Sequence, residues 1–185
     1  EAVIGWNDGN LRDYHDMDWT SSNEFVTAMY NRIYYQIPHT NEFIRETTDA
    51  KLKERNITGT EVKTFRAEAR FLRALSYFHA LDMFGNVPFV TEADAVGSFT
   101  PKQSTRSELF TYIETELKAI EAELAAPMTN EYGRADKAAA WTLLAKLYLN
   151  AQVYTGTAKN NEAIEYCNKV IGAGYSLESK YANLF

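Results

Sequence analysis

The sequence contains a single cysteine, Cys167, among its 185 residues. One cysteine excludes an intramolecular disulfide. Its helical spacing from Ala163, Val170 and Ile171 predicts a small buried hydrophobic side chain rather than a reactive thiol. A helical core of this size needs no covalent link even in an oxidising compartment, so the cysteine count leaves the location of the protein open.

Clusters of positive charge are also scarce. The chain has 25 acidic and 19 basic residues, a net charge of -6 and a pI of about 5.2. The only dense basic run is the short stretch from Lys51 to Arg55. Because a protein needs a basic surface to bind nucleic-acid phosphates, we expect no nucleic-acid partner. No stretch approaches the length of an apolar membrane-spanning helix, so none is predicted.

Catalytic and metal-binding motifs are missing as well. The sequence has no Gly-x-Ser-x-Gly and no His-Glu-x-x-His, and its three histidines lie in different segments, so we predict no enzyme and no cofactor. His15, Asp16 and Asp18 have no spacing that one helix or strand face would bring together. They are therefore not predicted to hold a metal ion. Gly172-Ala173-Gly174 follows a helix rather than a strand, which predicts a left-handed helix cap.

Five segments have the apolar spacing of helices, and few strands are expected, so the predicted fold is all-α. The segments run from about 24 to 46, 60 to 84, 105 to 124, 136 to 149 and 161 to 171. Ser21–Glu24 and Thr105–Glu108 match the capping box, and Asp136 is a predicted N-cap. Pro38 is predicted to kink or interrupt the first helix.

The connections between these helices are predicted to be irregular. The charged stretch from 47 to 56 is predicted to be a solvent-exposed connection, and residues 151–160 are predicted to form a long loop. Val87–Val90 is a short candidate strand. The helices group into two repeat-like pairs, at about 60–124 and 136–172. The small and large apolar residues of the second pair match the pattern of a tetratricopeptide repeat, and the first pair is looser.

The helix at 60–84 is apolar on most of its surface, which predicts that neighbours cover it on more than one side. Its apolar positions are Phe71, Leu72, Ala74, Leu75, Phe78, Leu81 and Met83. Arg66, Arg70 and Arg73 form a polar stripe for which we predict ion pairs with acidic neighbours such as those of the third helix; the alternative is contact with acidic sugars or a partner. Gly85 is predicted to end the helix in a left-handed conformation.

Several stretches resemble one protein family. The stretch AEARFLRALSYFHALDMFGNVPFV is similar to the most characteristic helix of the SusD/RagB family, surface glycan-binding lipoproteins of Bacteroidetes. WNDGN, YHDMDWTSSN and YNRIYYQIPHTNEFI resemble the segment before that helix. GRADKAAAWTLLAKLYL and AIEYCNKVIGAGYSLESKYANLF resemble the segments after it. The similarity extends over nearly the whole chain.

The resemblance implies a tetratricopeptide-like helical protein with long loops. It implies a lipid anchor on the extracellular face of the outer membrane, and delivery of an oligosaccharide or polysaccharide to a TonB-dependent transporter of the SusC type. The chain lacks the lipidated cysteine and the long C-terminal half of the family. We therefore expect residues 1–185 to be one SusD-like helical-repeat region, a fragment of a longer protein.

The predicted glycan-binding residues are Trp6, Asn7 and Asn10. A Trp ring can pack on the apolar face of a sugar, while amide side chains bond its hydroxyls. The resemblance also implies a Trp and an Asn from this region in glycan contact. The alternative is that Trp6 only anchors the N-terminal loop to the helical body.

A second functional hypothesis is an intracellular tetratricopeptide-type adaptor that binds a peptide or protein partner. It requires an open concave groove lined by the first helices of the repeats. The precursor's first residues distinguish the hypotheses, since a lipidation motif with its cysteine indicates the cell surface.

Overall fold

The computed structural model describes residues 9–59 and 61–184, which form eight α-helices and one two-stranded sheet. In chain order the elements are α1 (Gly9–Asp16), α2 (Glu24–Glu46), α3 (Asp49–Glu54), α4 (Glu61–Phe84), β1 (Val87–Pro88), β2 (Gln103–Ser104), α5 (Arg106–Ile120), α6 (Lys137–Leu149), α7 (Ala151–Thr155), α8 (Asn160–Ile171) and a 3-10 helix at Tyr181–Leu184. The predicted all-α class is confirmed. None of these helices is long and apolar enough to cross a membrane.

Helix α4 is the centre of the fold, with α2 packed on one side and α5 on the other. Helix α6 packs against α8, and α7 fills a position beside α5. The largest fully buried apolar side chains are Ile37, Tyr77, Leu81, Leu109, Ile113, Leu117, Ile120, Leu144, Leu147 and Tyr148. The prediction that α4 is covered on more than one side is confirmed. Leu72 and Met83, however, are exposed, because α2 and α5 leave a strip of α4 uncovered.

Two of the predicted helix caps are confirmed and one is wrong. Thr105 and Glu108 form a reciprocal capping box, and Asp136 accepts a hydrogen bond from the Ala139 backbone N–H at 3.0 Å. At α2 the cap is Asn23 rather than Ser21. Its Oδ1 accepts hydrogen bonds from the first backbone N–H groups of the helix, and an asparagine in extended backbone supplies that acceptor directly.

Pro38 was predicted to kink or interrupt the helix; α2 continues through it from Glu24 to Glu46, so the helix is not interrupted there. Proline removes one backbone donor from the helix. Buried residues on both sides of it, Ile33 and Ile37 before and Ile44 after, pack on the core. This packing stabilises the helix against the missing hydrogen bond, since tertiary contacts supply most helical stability in proteins.

Two connections predicted to be irregular contain short helices. In 47–56, α3 is capped by Thr48 and anchored by the buried Leu52. In 151–160, α7 buries Ala151 and Tyr154, whose hydroxyl donates to Asp82 Oδ1 at 2.6 Å. Each helix has too few turns to show a periodic pattern in the sequence, so only its contacts reveal it.

The prediction that Cys167 is buried is also wrong, because its side chain is exposed. Helix α8 instead buries Ala163 and Tyr166, so its contact face is rotated by one residue from the predicted one. Gly172 follows α8 with an ordinary φ of −73°, and Gly174 is the residue in the left-handed region, at 93°. The left-handed turn therefore lies two residues later than a direct helix cap would.

The predicted ion pairs of the arginine stripe on α4 are confirmed. Arg66 reaches Asp49 at 2.9 Å. Arg70 makes a bidentate contact with Glu116 of α5, with Nη2–Oε1 at 2.7 Å and Nε–Oε2 at 3.0 Å. Arg73 also binds Glu116, at 3.1 Å. The stripe thus joins α4 to α3 and to α5.

Arg73 connects α4 to α2, to α5 and to the segment after β1. Only 2% of its side chain is exposed. Its Nη1 donates to Asn41 Oδ1 of α2 at 2.7 Å and to the carboxylate of Glu92, while Nη2 donates to Glu116 of α5. Burial alone would raise the pKa of Glu116, but the hydrogen bonds and charges of Arg70 and Arg73 outweigh it and hold the pKa below its ordinary value. Glu116 is therefore ionised at neutral pH.

The segment after β1 is bonded to Tyr77 of α4, which lies one helical turn after Arg73. Strands β1 and β2 pair antiparallel, with Val87 opposite Ser104. Beyond them, the Tyr77 hydroxyl donates to the Val90 carbonyl at 2.6 Å and accepts from the Val90 N–H at 2.8 Å. Asn41 also donates to the Val90 carbonyl, at 3.3 Å. The predicted strand at this position is confirmed at Val87–Pro88.

Replacing Arg73 with methionine is expected to lower the free energy of unfolding by about 3–5 kcal/mol, because the buried Asn41 and the half-buried Glu92 lose their charged partner and Glu116 loses one of its two arginines. Arg12→Met is the control, since Arg12 pairs with Asp16 on the surface and is 84% exposed. An exposed pair contributes about 0–1 kcal/mol. Urea denaturation of both variants measures the difference. Similar losses in the two variants would contradict the structural importance of Arg73.

Gly85→Ala is expected to destabilise the fold more than Gly133→Ala. Both glycines have positive φ, 76° and 84°, so both substitutions carry a backbone cost of about 1–2 kcal/mol. A Cβ at Gly85 would lie 2.8 Å from Nε of Arg106, whereas a Cβ at Gly133 meets no atom within 4 Å. Thermal unfolding compares them. Equal shifts in Tm would show that the Arg106 side chain moves away from the new Cβ without a loss of stability.

Candidate carbohydrate-binding site

The predicted glycan-binding residues lie at the start of the chain. Trp6 and Asn7 fall outside the described residues. Asn10 lies in the first turn of α1, and its side chain is also outside the described part. The role of these three residues therefore stays a prediction, and the structure describes the surface that follows them along α1.

That surface carries a pair of exposed aromatic rings. Tyr14 lies one helical turn after Asn10 and stacks on Trp19, with ring centroids 5.5 Å apart and an interplanar angle of 23°. Phe25, at the start of α2, meets Tyr14 edge-on at 6.2 Å. Trp19 is 49% exposed and Tyr14 38% exposed. The rings support one another and still present area to a ligand.

A polar link holds these rings in position. Helix α1 ends at Asp16, and the next residue, Met17, has a left-handed φ of 56°. The Asp18 N–H then donates to the Asp13 carbonyl at 3.0 Å. Asn23, the buried cap of α2, donates from Nδ2 to Asp13 Oδ2 at 2.9 Å. The turn that carries Trp19 is thus fixed between the end of α1 and the start of α2.

A half-exposed indole stacked on a tyrosine ring is suited to binding a sugar. The apolar C–H face of a pyranose packs on such a ring. Sequence reasoning did not single out Tyr14 and Trp19 as site residues. Their spacing follows neither helix nor strand periodicity, because a turn lies between them. The abundance of aromatic residues and the family resemblance of the stretch that contains both rings were signals, but neither assigned them to a site.

One acidic residue near this surface, Asp16, is paired with a basic side chain. Arg12 Nε donates to Asp16 Oδ2 at 3.1 Å. In the part of the chain that the structure describes, no group of three or more His, Cys, Asp or Glu side chains is placed to hold a metal ion. His15, Asp16 and Asp18 accordingly form no such group.

A second concave surface lies between α2 and α4, on the strip of α4 that neither neighbour covers. This cleft has a volume of about 600 Å³ and is lined by Phe43, Phe65 and Leu72, each about two-fifths exposed. The Arg134–Glu68 ion pair, at 2.8 Å, stands at its edge. Such an apolar surface with a charged rim is typical of protein contacts.

Comparison with known proteins places this geometry in a family. The model of a SusD-like family described as "Starch-binding associating with outer membrane" matches residues 3–149. The starch-binding protein SusD of Bacteroides thetaiotaomicron is 39% identical over 186 residues, which cover 100% of this chain and 32% of SusD. The SusD-like protein P25 of Formosa agariphila is 28% identical over 122 residues, 64% of this chain and 22% of P25. The chain thus spans a third or less of the length of these relatives.

Solved structures have the same fold. A structure with a xylogluco-oligosaccharide matches 98% of this chain and 36% of its own, with a TM-score of 0.80 at 23% identity. Surface glycan-binding protein A of Bacteroides uniformis matches 95% of this chain and 38% of its own, with a TM-score of 0.77 at 22% identity. A laminarin-binding SusD-like protein matches 89% and 39%, with a TM-score of 0.71 at 26% identity.

The family model covers most of the chain, and the identity to SusD extends over all of it. The helical-repeat architecture agrees with both findings. This chain belongs to the SusD-like family.

Proposed function

We propose that this chain takes part in the non-catalytic capture of an oligosaccharide or polysaccharide at the cell surface, and in its delivery to a SusC-like TonB-dependent transporter. The observation that carries the proposal is the exposed Tyr14–Trp19 stack. The names of the relatives support it, since they refer to starch, laminarin and a xylogluco-oligosaccharide.

The mechanism is reversible binding without a covalent step. The faces of Trp19 and of the predicted Trp6 pack on sugar rings, while Asn7 and Asn10 bond hydroxyl groups. Each contact is weak, but a polymer presents many identical units to the site. Release to the transporter requires weak individual contacts, because a tightly held glycan would not leave.

The proposal includes a location and a longer protein. The family description refers to association with the outer membrane, which favours an anchor on the extracellular face, by a lipid in the full-length protein. The greater length of the relatives favours a longer chain that completes the glycan site. The membership in the SusD-like family makes the intracellular adaptor the weaker hypothesis.

The apolar cleft between α2 and α4 is the proposed contact surface for the transporter. Its aromatic and leucine side chains are exposed on the helical-repeat face, where a protein partner would bury them. The glycan site at α1 lies at the other end of α2, so both ligands can bind at once.

Trp19→Ala is expected to weaken glycan binding by about tenfold or more, because an aromatic contact at the centre of a site typically contributes over 1 kcal/mol. Isothermal titration with maltoheptaose, laminarihexaose and a xyloglucan heptasaccharide measures the affinity. Tyr132→Ala is the control, since this ring is fully exposed in the loop between α5 and α6. Binding of none of these glycans by the unmodified protein would overturn the proposed function.

The double variant Phe43→Asp and Leu72→Asp is expected to reduce recovery of the transporter about tenfold or more when the protein is purified from membranes, since each charge would be buried in the contact. Leu177→Asp changes a side chain that is 98% exposed and not part of the cleft, and serves as the control. Circular dichroism verifies the folding of both. Undiminished recovery with the double variant would show that the transporter binds elsewhere.

A further inference from the structure

A separate cavity lies at the C-terminal end of α2, against the segment that follows β1. Its volume is about 370 Å³, and its lining includes His39, Asn41, Glu42, Arg45, Asp94 and Phe99. Pockets for small ligands have volumes of about 300–1,000 Å³, so one or two sugar units are the right size for it. No contact described for the α1 surface involves these residues.

One part of the cavity wall, residues 91–94, is held in place before any ligand arrives. Arg45 of α2 donates from Nε to the Glu92 carbonyl at 3.2 Å and from Nη2 to the Asp94 carbonyl at 3.4 Å. Asp94 Oδ2 in turn accepts from the Thr91 N–H at 2.7 Å. A wall fixed in this way loses little conformational entropy on binding, which favours affinity.

The inner end of the cavity is a buried amide. Asn41 is 5% exposed, and its orientation is set on both sides. Its Oδ1 accepts from Arg73 and its Nδ2 donates to the Val90 carbonyl. The cavity is therefore built directly on the buried cluster around Arg73, and its shape depends on that cluster.

The lining combines an apolar ring with groups that bond hydroxyls. Phe99 is 45% exposed and offers a ring face. Glu42 contacts Arg45 through Oε2, and Asp94 contacts Thr91 through Oδ2, so within the described residues the other oxygen of each carboxylate is left to accept from a ligand. The imidazole of His39 adds a group that can donate or accept.

This combination selects among ligand classes. An anion would face two carboxylates, while the one guanidinium present is already bonded to Glu42 and to backbone carbonyls. An apolar peptide segment would leave the carboxylates buried without partners, which costs free energy. A neutral sugar offers hydroxyl groups to the carboxylates and a C–H face to Phe99.

We propose that this cavity is a second carbohydrate subsite for one or two units of a neutral glycan, distinct from the aromatic surface at α1. The inference rests on the proposed function. Phe25 and Glu42 are 17 positions apart in α2, about 25 Å at about 1.5 Å per residue, so the two sites occupy opposite ends of one helix. Two weak sites on one polymer raise the overall affinity through effective concentration.

The test is a titration of the ¹⁵N-labelled protein with maltotriose, a probe too short to link the two ends of α2. The amide signals of Thr91, Gly97 and Phe99 are expected to shift and saturate together. Phe99→Ala is expected to weaken this response about tenfold or more, and Glu42→Gln to weaken it several-fold. Tyr132→Ala is the matched aromatic control and should leave the response as it is. Glu42→Gln alters an exposed side chain, so it keeps the test valid if Phe99→Ala perturbs the loop.

The outcomes separate this inference from the proposed function. Shifts confined to residues around Tyr14 and Trp19 would overturn the second subsite and leave glycan binding intact. An unchanged loop response in both Phe99→Ala and Glu42→Gln would also overturn it. No shift anywhere with maltotriose, together with no heat of binding for the longer glycans, would overturn the proposed function and this subsite together.

Discussion

The buried guanidinium of Arg73 is the interaction on which the rest of the structure depends. It bonds Asn41 of α2, Glu92 of the segment after β1 and Glu116 of α5, and it is nearly inaccessible to solvent. A charge in that position is stable only while its partners remain in place. The three elements must therefore pack on α4 in one arrangement, since any other would leave a buried charge unpaired.

This constraint extends to the surfaces that carry the proposed functions. Asn41, held by Arg73, forms the inner end of the cavity at the C-terminal end of α2. The same packing of α2 on α4 leaves one strip of α4 uncovered and so creates the apolar cleft. At the opposite end, the Asn23 cap of α2 holds Asp13 and the turn that carries Trp19. A single helix thus positions a ring surface, a cleft and a polar cavity.

Local chemistry made part of this fold predictable. Three features depend only on a few neighbouring residues, so the local sequence is enough to predict them. They are the capping box of Thr105 and Glu108, the Asp136 cap and the left-handed Gly85. The arginine stripe on α4 was predicted with its acidic partners because charges in an apolar helix require them. The predicted irregular connections at α3 and α7 and the predicted burial of Cys167 were wrong, and Pro38 does not interrupt α2. Packing against distant residues decides whether a helix forms or continues and which face it buries. The Tyr14–Trp19 pair was missed for the same reason.

The sequence by itself determined the helical class, the main helix boundaries and the family resemblance, because apolar periodicity and capping are local and repeated along the chain. It also determined that the arginines of α4 would need acidic partners. Only the tertiary structure decided which carboxylates those are, which rings stack beside α1, and which side chains surround the cavity at the end of α2. Those features join residues far apart in the chain, and their positions depend on how α2 and α5 pack on α4.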